Sequence, residues 1–203
     1  MNTDPTAYHF DQALLPVTWD ICGVRLRPFS MGHYIILKNI GNPMLDNSET
    51  NIADDEKLCW FFQTLLICAS TYEDNIEMLQ NLESHKETMD KLVANLMKVM
   101  ESDPHWNIFE HLRSFRDYVN FYMDVPVYFN EHESKEVTKS GIDWVQNLYF
   151  TMKKHGGYSE SEIMNMNFKK LLYVWCSYAE SEGSIKVINK QDLQQLARAR
   201  GLI

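Results

Sequence analysis

Seven histidines, four cysteines and 28 acidic residues are this chain's raw material for catalysis or metal binding. Such groups act together only where spacing or folding brings them to one point. His105, Glu110 and His111 fall on or beside one expected helix. His105 and His111, however, are separated by about 600° round a helix at 100° per residue, so they face different ways and make poor joint ligands. Glu131, His132 and Glu133 could hold a metal only with help from elsewhere in the fold. Cys22, Cys59, Cys68 and Cys176 form neither a CxxC pair nor a zinc spacing, and read as buried free thiols. The motifs GxxxxGK[ST] and GxGxxG are absent, and Gly156-Gly157 lacks the downstream lysine that would hold a phosphate. HExxH and GxSxG are absent too. The expectation is a protein that is not an enzyme and holds no cofactor and no metal.

Aromatic residues supply a different chemistry. They cluster as Trp60, Phe61 and Phe62; Tyr118, Phe121 and Tyr122; Tyr149 and Phe150; Tyr173, Trp175 and Tyr178. Without basic residues between them in the central region they do not form a base-stacking platform. Consecutive aromatics on a helix must point to different sides, so some are forced to the surface beside the 11 methionines. Exposed aromatic and methionine surface is what protein-binding grooves use. That favours partner binding over catalysis.

Net charge is −9, and its distribution excludes some partners. Residues 43–136 carry 7 basic and 19 acidic side chains, whereas residues 167–203 carry 6 basic and 3 acidic. The acidic middle repels phosphate, so nucleic-acid binding is not expected. The opening MNTDPTAYHF has neither a basic region nor an apolar stretch, so no secretory leader is expected. The longest mostly apolar run, Cys59 to Ala69, is far short of the ~20 residues of a membrane span. A cytoplasmic chain with no membrane contact is the expectation.

The elements that must position these residues are mainly helical. Val17, Trp19 and Ile21 alternate with polar neighbours, and Val24 and Leu26 resume the pattern, predicting a β-hairpin over 17–27 that turns at Cys22-Gly23. Ser30 is suited to cap a helix that ends at Gly41 before Pro43, with Met31, Tyr34, Ile35, Leu37 and Ile40 as its apolar face. A helix opening at Asp54 or Asp55 carries Leu58, Phe61, Phe62, Leu65, Leu66 and Ala69, and is the candidate central helix. The stretch from Asp74 to Met100 reads as one long helix or two, with the polar residues His85 to Thr88 as the possible break. Another helix runs from Trp106 to Met123, with Phe109, Leu112, Phe115, Val119 and Tyr122 on one face. Val125-Pro126-Val127 interrupts it, and Asn130 to Lys139 reads as a loop. A helix from Ser140-Gly141 to Gly156-Gly157 follows. Ser159 and Glu162 then have capping-box form for a short helix, the next helix starts at Phe168 and ends at Gly183, Ile185 to Ile188 is β-like, and Asn189 with Asp192 caps a last helix to Gly201. The reading is mainly α: seven to eight helices in one helical domain over 17–203, a small N-terminal β-hairpin, and an N-terminal arm over 1–16. Phe61, Phe62, Leu65, Leu66, Phe115, Leu148, Leu171 and Leu172 are the expected core.

Residues 23–44 resemble the opening segment of tail assembly chaperone-like proteins of long-tailed phages and prophages. The likeness lies in a short β element ending in Gly, an apolar-Arg-Pro turn, and a helix with an early His and a Gly-Asn-Pro close. Here it is carried by Gly23, Leu26, Arg27, Pro28, His33, Leu37, Gly41, Asn42 and Pro43. Tyr158 to Gly183 is similar to the family's C-terminal segment, with Asn167 standing where a proline would be expected. Together the two stretches cover about 48 of the 203 residues. The resemblance implies a protein that binds the tape-measure protein in the host cytoplasm, keeps it soluble and helps tail-tube subunits polymerise on it. Arg27, His33, Tyr34 and Lys38, in the segment of closest likeness, are the candidate partner-binding residues; Tyr34 and Lys38, four apart, share a helix face. A neck, connector or tail-completion component of the virion, an unrelated helical protein-binding module, or an enzyme with acidic residues around a metal are the alternatives.

Overall fold

The computed structural model describes residues 17–45, 54–123, 128–130, 144–187 and 198. Within them the chain is mainly helical: eight α-helices and two small two-stranded antiparallel sheets. The arm at 1–16, Glu131-His132-Glu133, the start at Ser140-Gly141 and, apart from residue 198, the last helix expected from Asn189 to Gly201 lie outside the described residues.

The first sheet pairs β1 (Trp19–Ile21) with β2 (Val24–Leu26), in register Trp19↔Leu26 and Ile21↔Val24. Cys22 and Gly23 both have positive φ, 54° and 73°, the signature of the two-residue turn whose twist matches a hairpin. Ile21 and Leu26 are buried, while Asp20 and Arg25 face solvent. The hairpin expected from alternation is the one that forms.

Helix α1 (Met31–Asn39) and a single 3₁₀ turn at Pro43–Leu45 precede α2 (Asp54–Ala69). Helix α2 is buried through most of its second half: Phe61, Phe62, Thr64, Leu65, Leu66, Ile67 and Cys68 are all shielded from solvent. Cys59 corrects the expectation of four buried thiols, since it is exposed while Cys22, Cys68 and Cys176 are buried. It shares the solvent side of α2 with exposed Glu56, one turn away.

The stretch beyond α2 forms two helices, α3 (Tyr72–Gln80) and α4 (Leu82–Ser102). The break falls at Asn81, not in the polar residues His85 to Thr88. Asn81 leaves helical geometry with φ −127° and ψ 49°, whereas a run of polar side chains does not by itself interrupt a helix. Helix α3 starts with a reciprocal capping box between Thr71 and Asp74. Helix α5 (Ile108–Met123) buries Phe115, Tyr118 and Tyr122. Phe109, expected on that apolar face, is 69% exposed.

Then come β3 (Tyr128–Asn130), α6 (Trp144–His155), α7 (Glu160–Asn165), α8 (Phe168–Ser181) and β4 (Ile185–Val187). Strand β3 pairs antiparallel with β4, Phe129 opposite Lys186, so Asn130 belongs to a strand rather than to the loop expected from 130. Helix α8 ends in the hydrogen bonds Gly183 N–H to Glu180 C=O and Ser184 N–H to Ala179 C=O, with Gly183 at φ 70°. That is the left-handed glycine stop known as a Schellman motif.

Contacts group the chain into two compact units where the sequence reads as one domain. One comprises Val17–Tyr122 and Glu160–Asn167, so α7 joins it from a distant part of the chain. Its core holds Phe29, Met31, Leu37, Phe61, Leu65, Phe115 and Tyr118. The other includes α6, α8, β3 and β4. There Val145, Leu148 and Met152 of α6 are buried, as are Leu171 and Leu172 of α8, and Cys176 and Ala179 pack with Ile185. All eight expected core residues are buried. Among the described residues no helix is long and apolar enough to cross a membrane.

Candidate partner-binding site

The surface around α1 is built from its ends inward. At the entry, Arg27 donates its backbone N–H to the Cys68 carbonyl at 2.9 Å, and its own carbonyl accepts the Tyr118 hydroxyl at 2.7 Å. Pro28 has no N–H to leave unpaired, and Phe29 is fully buried with its ring edge-on to Tyr118, centroids 5.8 Å apart. The turn into α1 is thereby tied to α2 and α5 before the helix begins.

Ser30 then caps α1, its hydroxyl accepting the His33 N–H at 3.3 Å. The reciprocal bond runs from the Ser30 N–H to His33 Nδ1 at 3.2 Å, so histidine takes the place that Glu or Gln usually holds in a capping box. On the other side of the ring, Nε2 lies 2.9 Å from the Ser70 carbonyl. A carbonyl only accepts, so Nε2 carries the proton and Nδ1 is bare: the ring is the neutral Nε2–H tautomer. Burial drives the His33 pKa down to about 4, the Ser70 carbonyl opposes this, and the positive charge of Arg27 adds to it.

At the exit, Gly41 at φ 67° makes a second Schellman stop: its N–H reaches the Lys38 carbonyl and the Asn42 N–H reaches the Leu37 carbonyl. Asn42 is buried and bridges α1 to α2, donating to Thr64 Oγ1 at 2.8 Å and accepting the Met44 N–H at 2.9 Å. The middle of the helix is held by contact. A Cβ added to Gly32 would stand 2.7 Å from Tyr72 Cδ2 and 2.8 Å from the Met164 carbonyl oxygen. A backbone oxygen in α7 cannot swing aside as a side chain can. Gly32→Ala should therefore cost about 1–3 kcal/mol through overpacking, despite alanine's better helix propensity. Urea denaturation checks this, and a neutral or stabilising result would mean that α7 shifts freely.

Helix α7 is anchored from its other side. The Glu73 carboxylate accepts from the Ser161 hydroxyl at 2.5 Å and from the Asn165 amide at 2.7 Å, and Asn165 Oδ1 accepts the Tyr72 N–H. The bonds from Ser161 and then Asn165 hold the Glu73 carboxyl below its ordinary range. Ser30 and Asn167 form an isolated antiparallel bridge, which ties the start of α1 to the end of α7.

What α1 offers outward is small and defined. Met31, Gly32, His33, Ile36 and Leu37 are buried, while Tyr34 is half-buried and Lys38 exposed, with Lys38 Nζ 5.8 Å from the Tyr34 ring centroid. The structure thus keeps Tyr34 and Lys38 on one face, as their spacing requires, and leaves the Arg27 side chain exposed at the entry. It places His33 inside, 2% exposed with both ring nitrogens engaged, so its role here is to fix the start of the helix. The bracing roles of Ser70, Tyr118 and the Glu73–Asn165 pair are not legible in the sequence, because each acts across a long stretch of chain.

His105, Glu110 and His111 do not converge, and Glu131-His132-Glu133 lie outside the described residues. His105 is exposed, and the His111 ring lies against Trp106, centroids 5.4 Å apart. Among the described residues no three His, Cys, Asp or Glu side chains gather as metal ligands would. Comparison with models of protein families, with curated proteins and with solved structures finds no match for this chain.

Proposed function

We propose that this chain is an assembly chaperone for a long-tailed phage or prophage, binding the tape-measure protein and assisting the tail-tube subunit to polymerise on it. The observation that carries the reading is the construction of α1. The segment with the family resemblance is a short helix capped at Ser30, stopped at Gly41 and packed at Gly32, which displays an aromatic residue paired with a cation. The resemblance implies that the tape-measure protein is a long helix with apolar stripes. Such a stripe can lie against Tyr34 by helix-in-groove packing, while Lys38 and Arg27 meet carboxylates along its edge. A rigid display surface loses little freedom when the client arrives, and this favours binding.

An assembly chaperone leaves when assembly is complete. Particles purified from a lysate that contains the chain should therefore lack it, as measured by quantitative mass spectrometry against the tail-tube subunit. A stoichiometric copy number in finished particles would instead make it a virion component.

A further inference from the structure

Helix α5 carries a second surface that its packing does not use. Its buried face is Phe115, Tyr118 and Tyr122. On the opposite side stand Phe109, Arg113 and Arg116, all exposed. Their spacing of four and then three residues keeps them within about 60° of arc and about 10 Å of helix length. Phe109 is the most exposed large apolar residue among those described, at 69%. It is also held in place: Asn107 Oδ1 accepts its N–H at 3.0 Å, and the Asn107 carbonyl accepts the Glu110 N–H at 3.1 Å. Among the described residues neither Arg113 nor Arg116 has a hydrogen-bond or ion-pair partner, although Glu110 and Asp117 lie within a turn of them.

We propose that this face of α5 docks an acidic amphipathic helix of a protein partner, with Phe109 as the apolar anchor and Arg113 and Arg116 as the charge contacts. Charge complementarity selects the occupant. Residues 43–136 carry only 7 basic side chains against 19 acidic ones, and two of those seven stand beside the exposed phenylalanine without an ion pair to any described carboxylate. A guanidinium pairs best with a carboxylate in fork geometry. The fitting partner therefore presents one apolar side chain and, further along the same face, two carboxylates three or four residues apart. Nucleic acid fits less well, because Glu110 and Asp117 line one flank of the stripe and would repel a continuous run of phosphates. The surface lies on a different element from Tyr34 and Lys38, and it does not depend on the assembly-chaperone reading.

The test uses the full chain and a synthetic helical peptide of about 20 residues with a Leu and Glu stripe, long enough to hold a helix. Binding is followed by fluorescence anisotropy. The peptide should bind, Phe109→Ala should weaken it at least about tenfold, and Arg113→Glu with Arg116→Glu should abolish it. Both variants should keep the parental melting temperature, since the altered side chains are exposed. Raising the salt concentration should weaken binding by screening. The proposal is overturned if the parent chain does not bind the peptide or if both variants bind it equally. Equal binding of a peptide with Lys in place of Glu would overturn it too, as would tighter binding of a single-stranded oligonucleotide at the same face.

Discussion

Leu65→Ala is expected to lower the free energy of unfolding by about 2–5 kcal/mol. Leu65 is fully buried in the second half of α2, between turns that carry the equally buried Phe61 and Cys68. Phe61 meets Phe115 edge-on at 6.4 Å, and α2 also packs against β2, α1 and the 3₁₀ turn. With neighbours on several elements, no single one can relax into the space a leucine leaves, so most of the cavity should persist. Gln63→Ala, on the half-exposed side of the same helix, should change stability by no more than about 0.5 kcal/mol. Urea denaturation of both variants separates the cases. A loss below about 1 kcal/mol at Leu65 would place the core elsewhere.

The second large effect is a loss of stability in mild acid that originates at His33. Its folded pKa of about 4 lies below the ordinary value of 6.5. Between those values the unfolded chain binds a proton that the folded chain refuses. The stability tied to the neutral ring is therefore complete above pH 6.5 and falls away as the pH drops towards 4. A gap of this size corresponds to about 3 kcal/mol at the low end. Protonation would also put a proton on Nδ1, where the Ser30 N–H now points, and would turn the capping bond into a clash of donors. Glu73 and Asp74 have pKa values held below the ordinary carboxylate range, so their contribution to stability is present above the ordinary values and is lost as the pH falls through and below them. The window from pH 6.5 to about 5 therefore reads the histidine before the loss from these two carboxylates sets in. The decline between these limits should be present in the parent chain and largely absent in His33→Gln, as read from urea denaturation at each pH. Parallel slopes for the two proteins would show that His33 is not the titrating group.

Local signals in the sequence proved dependable where a single residue enforces the geometry. Cys22-Gly23 turns the hairpin, and Gly41 and Gly183 stop helices at positive φ. The run Phe61 to Leu66 is apolar on nearly every side and marks the central helix with no tertiary information. Periodicity failed where small angular errors accumulate. Phe109, Leu112 and Phe115 are spaced by three, and each such step falls about 60° short of a full turn. Two steps carry Phe109 about 120° from Phe115, past the edge of the buried face. Strand β3 was hidden because its partner lies more than fifty residues away in β4, and three residues without a neighbour carry no pattern. Within the candidate site, the spacing of Tyr34 and Lys38 already set their shared face. A histidine hydrogen-bonding near the helix start is legible for His33, since its partner Ser30 is three residues away; its second bond is not, because the Ser70 carbonyl lies just beyond the end of α2.

The central claim is that the outward face of α1 serves a client rather than the fold. The most direct measurement is co-expression with a tape-measure protein, comparing the soluble fraction of that client with the melting temperature of the chain itself. Tyr34→Ala should sharply reduce client solubility, consistent with loss of about 2 kcal/mol or more of binding at an aromatic anchor. Because Tyr34 is only half-buried, the melting temperature should shift little. Unchanged client solubility beside a large drop in melting temperature would show that Tyr34 belongs to the core, and would contradict the claim.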